Sequence, residues 1–122
     1  MVVFTDPPQK GGKTAANVLT MNETLPEGIT LDAHVNAQLK DVMSRGRDFD
    51  LEVRTAEEFR GHESVILQFS WTAGGRGLWQ KQRYIQRPNN RVTSFVLTCD
   101  RDEKKVNSNK FATIEKSFQL KD

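Results

Sequence analysis

Three β-type segments joined by tight turns constrain this chain most. Glu63–Thr72 alternates Val65, Leu67, Phe69 and Trp71 against Ser64, Ile66, Gln68 and Ser70. Leu78–Gln86 alternates Leu78, Gln80, Gln82 and Tyr84 against Trp79, Lys81, Arg83 and Ile85. Arg91–Cys99 carries Val92, Phe95, Val96 and Leu97. A period of two is that of a strand. The joins, Ala73-Gly74-Gly75-Arg76-Gly77 and Pro88-Asn89-Asn90, are built from residues that reverse a chain. Joins this short cannot carry the crossover that parallel strands need, so the three run antiparallel.

The rest of the chain extends that unit. Phe49–Phe59 begins with the same alternation, and Gly61 ends it. Val2–Thr5 and Ala16–Asn22 read as two further strands, separated by a loop from Asp6 to Lys13. Leu31, Val35, Leu39, Val42 and Met43 fall near helical spacing. Thr30 is a suitable N-cap, Asp32 suits the positive end of the helix dipole, and Gly46 suits the C-cap, which predicts a helix over Leu31–Ser44. The charged run Asp100–Lys105 leads to a second helical face of Phe111, Ile114 and Phe118. The expected fold is α+β: one domain over residues 1–122, with an antiparallel β-sheet and two helices packed on one face.

Size and charge narrow the function. A chain of 122 residues makes one domain. Its formal net charge of +2 is too small for binding driven by phosphate neutralisation, so no nucleic acid is expected. The one cysteine, Cys99, rules out an intrachain disulfide. No apolar run is long enough to insert in a membrane, and Met1-Val2-Val3-Phe4-Thr5-Asp6 has no basic start or apolar stretch of a leader. The expected location is cytoplasmic.

No motif for chemistry holds up. Gly11-Gly12-Lys13-Thr14 resembles the end of a phosphate-binding loop, but Pro7 stands where its first glycine belongs, and a strand follows in place of a helix. His34 and His62 lie on different elements with no metal-ligand spacing. Cys99 has no local base and reads as a small core residue. Asp100, Asp102 and Glu103 are followed at once by Lys104 and Lys105 and read as a mixed charged surface. A small enzyme would need the fold to gather His34, His62 and Cys99. No cofactor and no catalytic activity are expected.

One pattern does ask for a partner. If Val65, Leu67, Phe69 and Trp71 face the helices, then Ile66, Gln68 and Ser70 lie on the other side, and Gln80, Gln82 and Tyr84 extend that surface on the next strand. A sheet face that mixes apolar area with amides is unlike a charged solvent face. Lys81 and Arg83 fit poorly in a core. That would place Leu78–Gln86 at an edge, or reverse its facing.

The order of elements resembles a known family. Leu25-Pro26-Glu27-Gly28 leads into the Thr30-Leu31 helix ending Gln38-Leu39; then follow Phe49-Asp50-Leu51, Gly61-His62, the strand ending in Trp71, Gly75-Arg76, and the strand with Gln80 and Gln82. Arg91-Val92 through Leu97 precede Phe111, Ile114 and Ser117-Phe118-Gln119-Leu120. From about Val3 to Leu120 the chain is similar to the DcrB-related branch of the PsbP-like superfamily, and looks most like the Eag chaperones of type VI secretion. That resemblance implies a cytoplasmic, non-catalytic homodimer. Its sheet face would shield the hydrophobic N-terminal helices of secreted effectors, with Gln80 and Gln82 matching the family's Gln-x-Gln strand. The alternative it carries is a DcrB-like domain of the bacterial envelope.

Overall fold

A computed structural model describes residues 2–5 and 17–117. The elements run β1 (Val2–Thr5), β2 (Asn17–Thr24), α1 (Leu31–Arg45), β3 (Arg47–Ala56), β4 (Ser64–Ala73), β5 (Arg76–Arg87), β6 (Arg91–Asp100), a 3₁₀ turn (Arg101–Glu103) and α2 (Lys104–Ser117). The six strands form one sheet in the order β1-β2-β6-β5-β4-β3, and every neighbouring pair is antiparallel. The chain leaves β2, crosses the sheet through α1 to the far edge, and returns strand by strand until β6 lies against β2. The phosphate-loop-like Gly11–Thr14, the surrounding loop, Ala16 and the apolar Phe118 and Leu120 fall outside the described residues.

Local chemistry sets the boundaries. Thr30 caps α1: its Oγ1 accepts from the Ala33 amide at 3.1 Å, which satisfies one otherwise orphaned donor. Asp32 and Arg45 sit at the dipole-favoured ends of the helix. Gly46 follows α1 in extended backbone, so left-handed freedom is not its purpose. A Cβ there would collide with the Trp71 indole, so the residue is small because a strand side chain lies against it. The β4–β5 turn does need left-handed backbone: Gly74 and Gly75 have φ of 58° and 77° between the paired Ala73 and Arg76. The edge strand β3 is broken by two register shifts. Those bulges, with the charges of Arg47, Asp48, Asp50 and Glu52, discourage another strand from adding there.

The α+β class and the antiparallel sheet with two helices are as expected, but the placement of the helices is not. They lie on opposite faces. Cross-strand register puts Leu67, Phe69, Tyr84 and Val92 on one face, where they pack with Leu31 and Val35 of α1. It puts Val18, Trp79, Ile85, Phe95, Leu97 and Cys99 on the other, where Phe111 of α2 completes a second core. Trp79 and Phe111 stack at 6.0 Å. The physical reason is in β5 and β6. Both carry large apolar residues at both parities, so each face has area to remove from water, and one helical layer cannot cover both.

The charged face of β5 is resolved in the same way. β5 is interior, between β4 and β6, and Arg83 is buried. Glu115 of α2 reaches down to it. One carboxylate oxygen meets Lys81 Nζ at 2.6 Å and the other meets Arg83 Nε at 2.7 Å. Arg83 also donates to Ser64 Oγ at 3.3 Å, and its guanidinium lies 4.7 Å from the Phe59 ring centroid. A buried cation with this many partners is accommodated in a core.

Candidate binding face

The six residues read from the sequence as one surface do not share one. Register places Ile66, Gln68 and Ser70 on the α2 face and Gln80, Gln82 and Tyr84 on the α1 face. Residues directly opposite one another on paired strands point to the same face, and Leu67 stands opposite Gln82. The glutamines therefore extend the Val65–Trp71 face and not its reverse. Ile66 and Ser70 are each 5% exposed, so this half of the expected surface is interior.

Gln80 and Gln82 lead to a different surface. Beside them on β6 stand Val96, opposite Gln82, and Thr98, opposite Gln80. Beyond these on β2 stand Leu19, opposite Val96, and Met21, opposite Ser94. Leu19, Met21, Val96, Thr98 and Gln80 are all half-buried. Leu19, Met21 and Val96 belong to neither core. This quadrant of the sheet, from β2 through β6 to β5, mixes aliphatic area with amide and hydroxyl groups and bears no formal charge at those positions. Leu19, Met21, Val96 and Thr98 were not legible as site residues. Their alternation was visible, but the face they take depends on which strand β2 meets.

The polar groups of the quadrant are linked. Tyr84 Oη donates to Gln82 Oε1, Gln82 Nε2 donates to Gln80 Oε1 at 2.6 Å, and Gln80 Nε2 donates to Thr98 Oγ1 at 2.9 Å. The chain begins under α1. Tyr84 is 4% exposed there, and its ring meets His34 edge-on at 5.7 Å. Burial, and then the charge of Glu23, push the Tyr84 phenol well above the usual tyrosine range. His34 Nε2 lies 3.6 Å from a Glu23 carboxylate oxygen, at the margin of the quadrant.

The remaining candidates are dispersed. His34 lies over the α1 face, Cys99 is buried on the α2 face, and His62 closes the small Phe59–His62 turn. The fold does not gather the three. Among the described residues no group of three His, Cys, Asp or Glu is placed to hold a metal ion. Burial, helped by Asp100 and Glu103, pushes the Cys99 thiol up to about 11. Asp100 itself is buried, not part of a solvated run. On the α2 face a cleft of about 370 Å³ lies between the Phe59–His62 turn and α2, lined by Lys81, Arg83 and Glu115, which are already paired to one another.

The fold defines a small α+β domain of the PsbP-like kind. The solution structure of cyanobacterial PsbP (CyanoP) from Synechocystis sp. PCC 6803 superposes with a TM-score of 0.62 at 15% identity, over 98% of this chain and 81% of that one. LpqN of Mycobacterium tuberculosis, involved in cell envelope biogenesis, superposes at 0.70 and 15% identity, over 91% of this chain and 65% of its own. A Pseudomonas aeruginosa protein of unknown function, described as a putative regulator, superposes at 0.83 and 20% identity, over 99% and 83%. No curated protein matches the chain. The chain belongs to the DcrB family, whose profile matches residues 1–117. No helix among the described residues is long and apolar enough to cross a membrane.

Proposed function

We propose that this DcrB-family domain is a non-catalytic chaperone or adaptor that shields the hydrophobic N-terminal helices of a type VI secretion effector, working in the cytoplasm as a homodimer. One observation carries the reading: Leu19, Met21 and Val96 stand half-buried outside both cores, beside an ordered row of amides. An apolar helix laid on that quadrant would lose exposed area at about 25 cal/mol per Å². The amides could serve its few polar groups, as polar side chains do between helices in a membrane. The Eag resemblance supplies the client class, the location and the dimer.

The test is co-expression with candidate effectors from the same gene cluster, followed by pull-down and mass spectrometry. Recovery of an effector through its apolar N-terminus supports the reading. Val96→Asp, which puts a charge in the quadrant without entering a core, should abolish recovery. Loss of the reading follows if no effector is recovered from a cluster that expresses one. The second reading is a DcrB-like domain of the envelope, favoured by the fold shared with LpqN. Fractionation of the native protein separates the two.

A further inference from the structure

We propose that Tyr84 is a positioning residue for the binding quadrant: its buried phenol orients Gln82 and Gln80 so that the face offers hydrogen-bond donors and selects apolar helices carrying an acceptor. This rests on the reading of β2–β6–β5 as the binding face. Tyr84 lies under α1 and is nearly inaccessible, so a partner on the quadrant cannot reach its ring. Its influence passes through Gln82.

Three hydrogen bonds join four side chains, and all run in one direction, from Tyr84 to Thr98. The opposite direction would need the phenol oxygen to accept and the threonine hydroxyl to donate. A phenol is the stronger donor and the poorer acceptor of the two, since its proton is far more acidic than that of an alcohol. Burial keeps that proton in place. In this direction the carbonyl oxygens of Gln82 and Gln80 are both already engaged. The second Nε2 hydrogens of Gln82 and Gln80 and the Thr98 hydroxyl proton remain. No acceptor among the described residues takes them; Gln82 is buried, and the other two belong to half-buried residues beside Val96.

An unbroken apolar helix pairs with these donors poorly, because each carbonyl already accepts one bond within the helix except in the last turn, and its second lone pair is screened by the surrounding side chains. Laid on the quadrant, it would leave them weakly paired. A helix with an acceptor at mid-length would pair with them. The expected preference is about tenfold, from one hydrogen bond made or left unmade.

The experiment compares two synthetic apolar helices of about 20 residues. They are flanked by lysines, labelled with a fluorophore, and identical except for one central residue. That residue is methionine in one and methionine sulfoxide, an acceptor with no donor, in the other. Affinities are read by fluorescence anisotropy on the whole protein. The expected result is that the sulfoxide-to-methionine ratio of affinities is about tenfold higher in the wild type than in Tyr84→Phe. A merely structural role for Tyr84 would weaken both peptides equally and leave the ratio unchanged, which overturns the inference. Gln82→Leu cuts the row between Tyr84 and Gln80 and should collapse the same ratio. It carries the test if Tyr84→Phe does not fold. Equal affinity of both peptides for the wild type overturns the inference while leaving the binding face standing. Binding of neither peptide overturns the face itself.

Discussion

Glu115→Ala should be among the most damaging single changes in this protein. Glu115 is buried, and each of its oxygens holds a cation, Lys81 at 2.6 Å and Arg83 at 2.7 Å. The two cations differ in what they lose. The Lys81 side chain is 18% exposed and can swing its ammonium toward water. Arg83 is only 8% exposed and would keep Ser64 Oγ and the Phe59 ring as company for a full charge. Breaking a buried pair by removing one partner costs about 3–5 kcal/mol. That is a large share of a typical domain stability of about 5–15 kcal/mol. Glu115→Gln keeps the volume and removes the charge, and should cost nearly as much. Replacing both partners, Arg83→Met with Glu115→Leu, should recover most of the loss, because a buried ion pair and an apolar pair of similar size are close in energy. Urea unfolding followed by far-ultraviolet circular dichroism measures all four proteins. A cost below about 1 kcal/mol for Glu115→Ala is what an exposed pair gives, and would refute the claim that this pair is desolvated. A double variant as unstable as the single would show that shape, not charge, holds α2 on the sheet.

Tyr84 is the one tyrosine in the chain, so tyrosinate absorbance near 295 nm reports on it alone. Its folded-state pKa is raised, so its contribution to stability is complete below the unfolded value of about 10 and is lost as pH climbs above it. The expected result is no ionisation before alkaline unfolding; a titration in the folded protein near pH 10 would contradict the buried phenol. Cys99 is 1% exposed with its thiol pushed up to about 11, so a disulfide reagent at pH 8 should label it only in denaturant, and rapid native labelling would show that the core opens. Gly46→Ala should lower stability by about 1–3 kcal/mol through its collision with Trp71, read as a fall in Tm. Thr30→Ala should cost about 1 kcal/mol by removing the α1 cap, and an unchanged Tm would show that solvent replaces the bond at no cost.

Much of the fold was legible because its signals are local. The Gly74-Gly75 turn, the Thr30 cap and the alternation of Glu63–Thr72 each act within a few residues, and the structure keeps each in place. The proposed binding face was only half legible. Gln80 and Gln82 were found by their alternation, but the residues assigned beside them, Ile66, Gln68 and Ser70, lie through the sheet from them. The true neighbours, Val96 and Leu19, come from strands 14 and 63 positions away in the chain from Gln82.

By itself the sequence determined which segments are strands and which are helices, that consecutive strands pair antiparallel, and which residues of one strand share a side. Those are properties of backbone preference and period, and they need no distant partner. Only the tertiary structure decided which sides of different strands meet. It alone placed α2 opposite α1, neutralised Arg83 with Glu115, and left Leu19, Met21 and Val96 outside both cores. The physical reason is register: a shift of one residue between paired strands exchanges the two faces entirely, and nothing within a single strand records which register the sheet adopts.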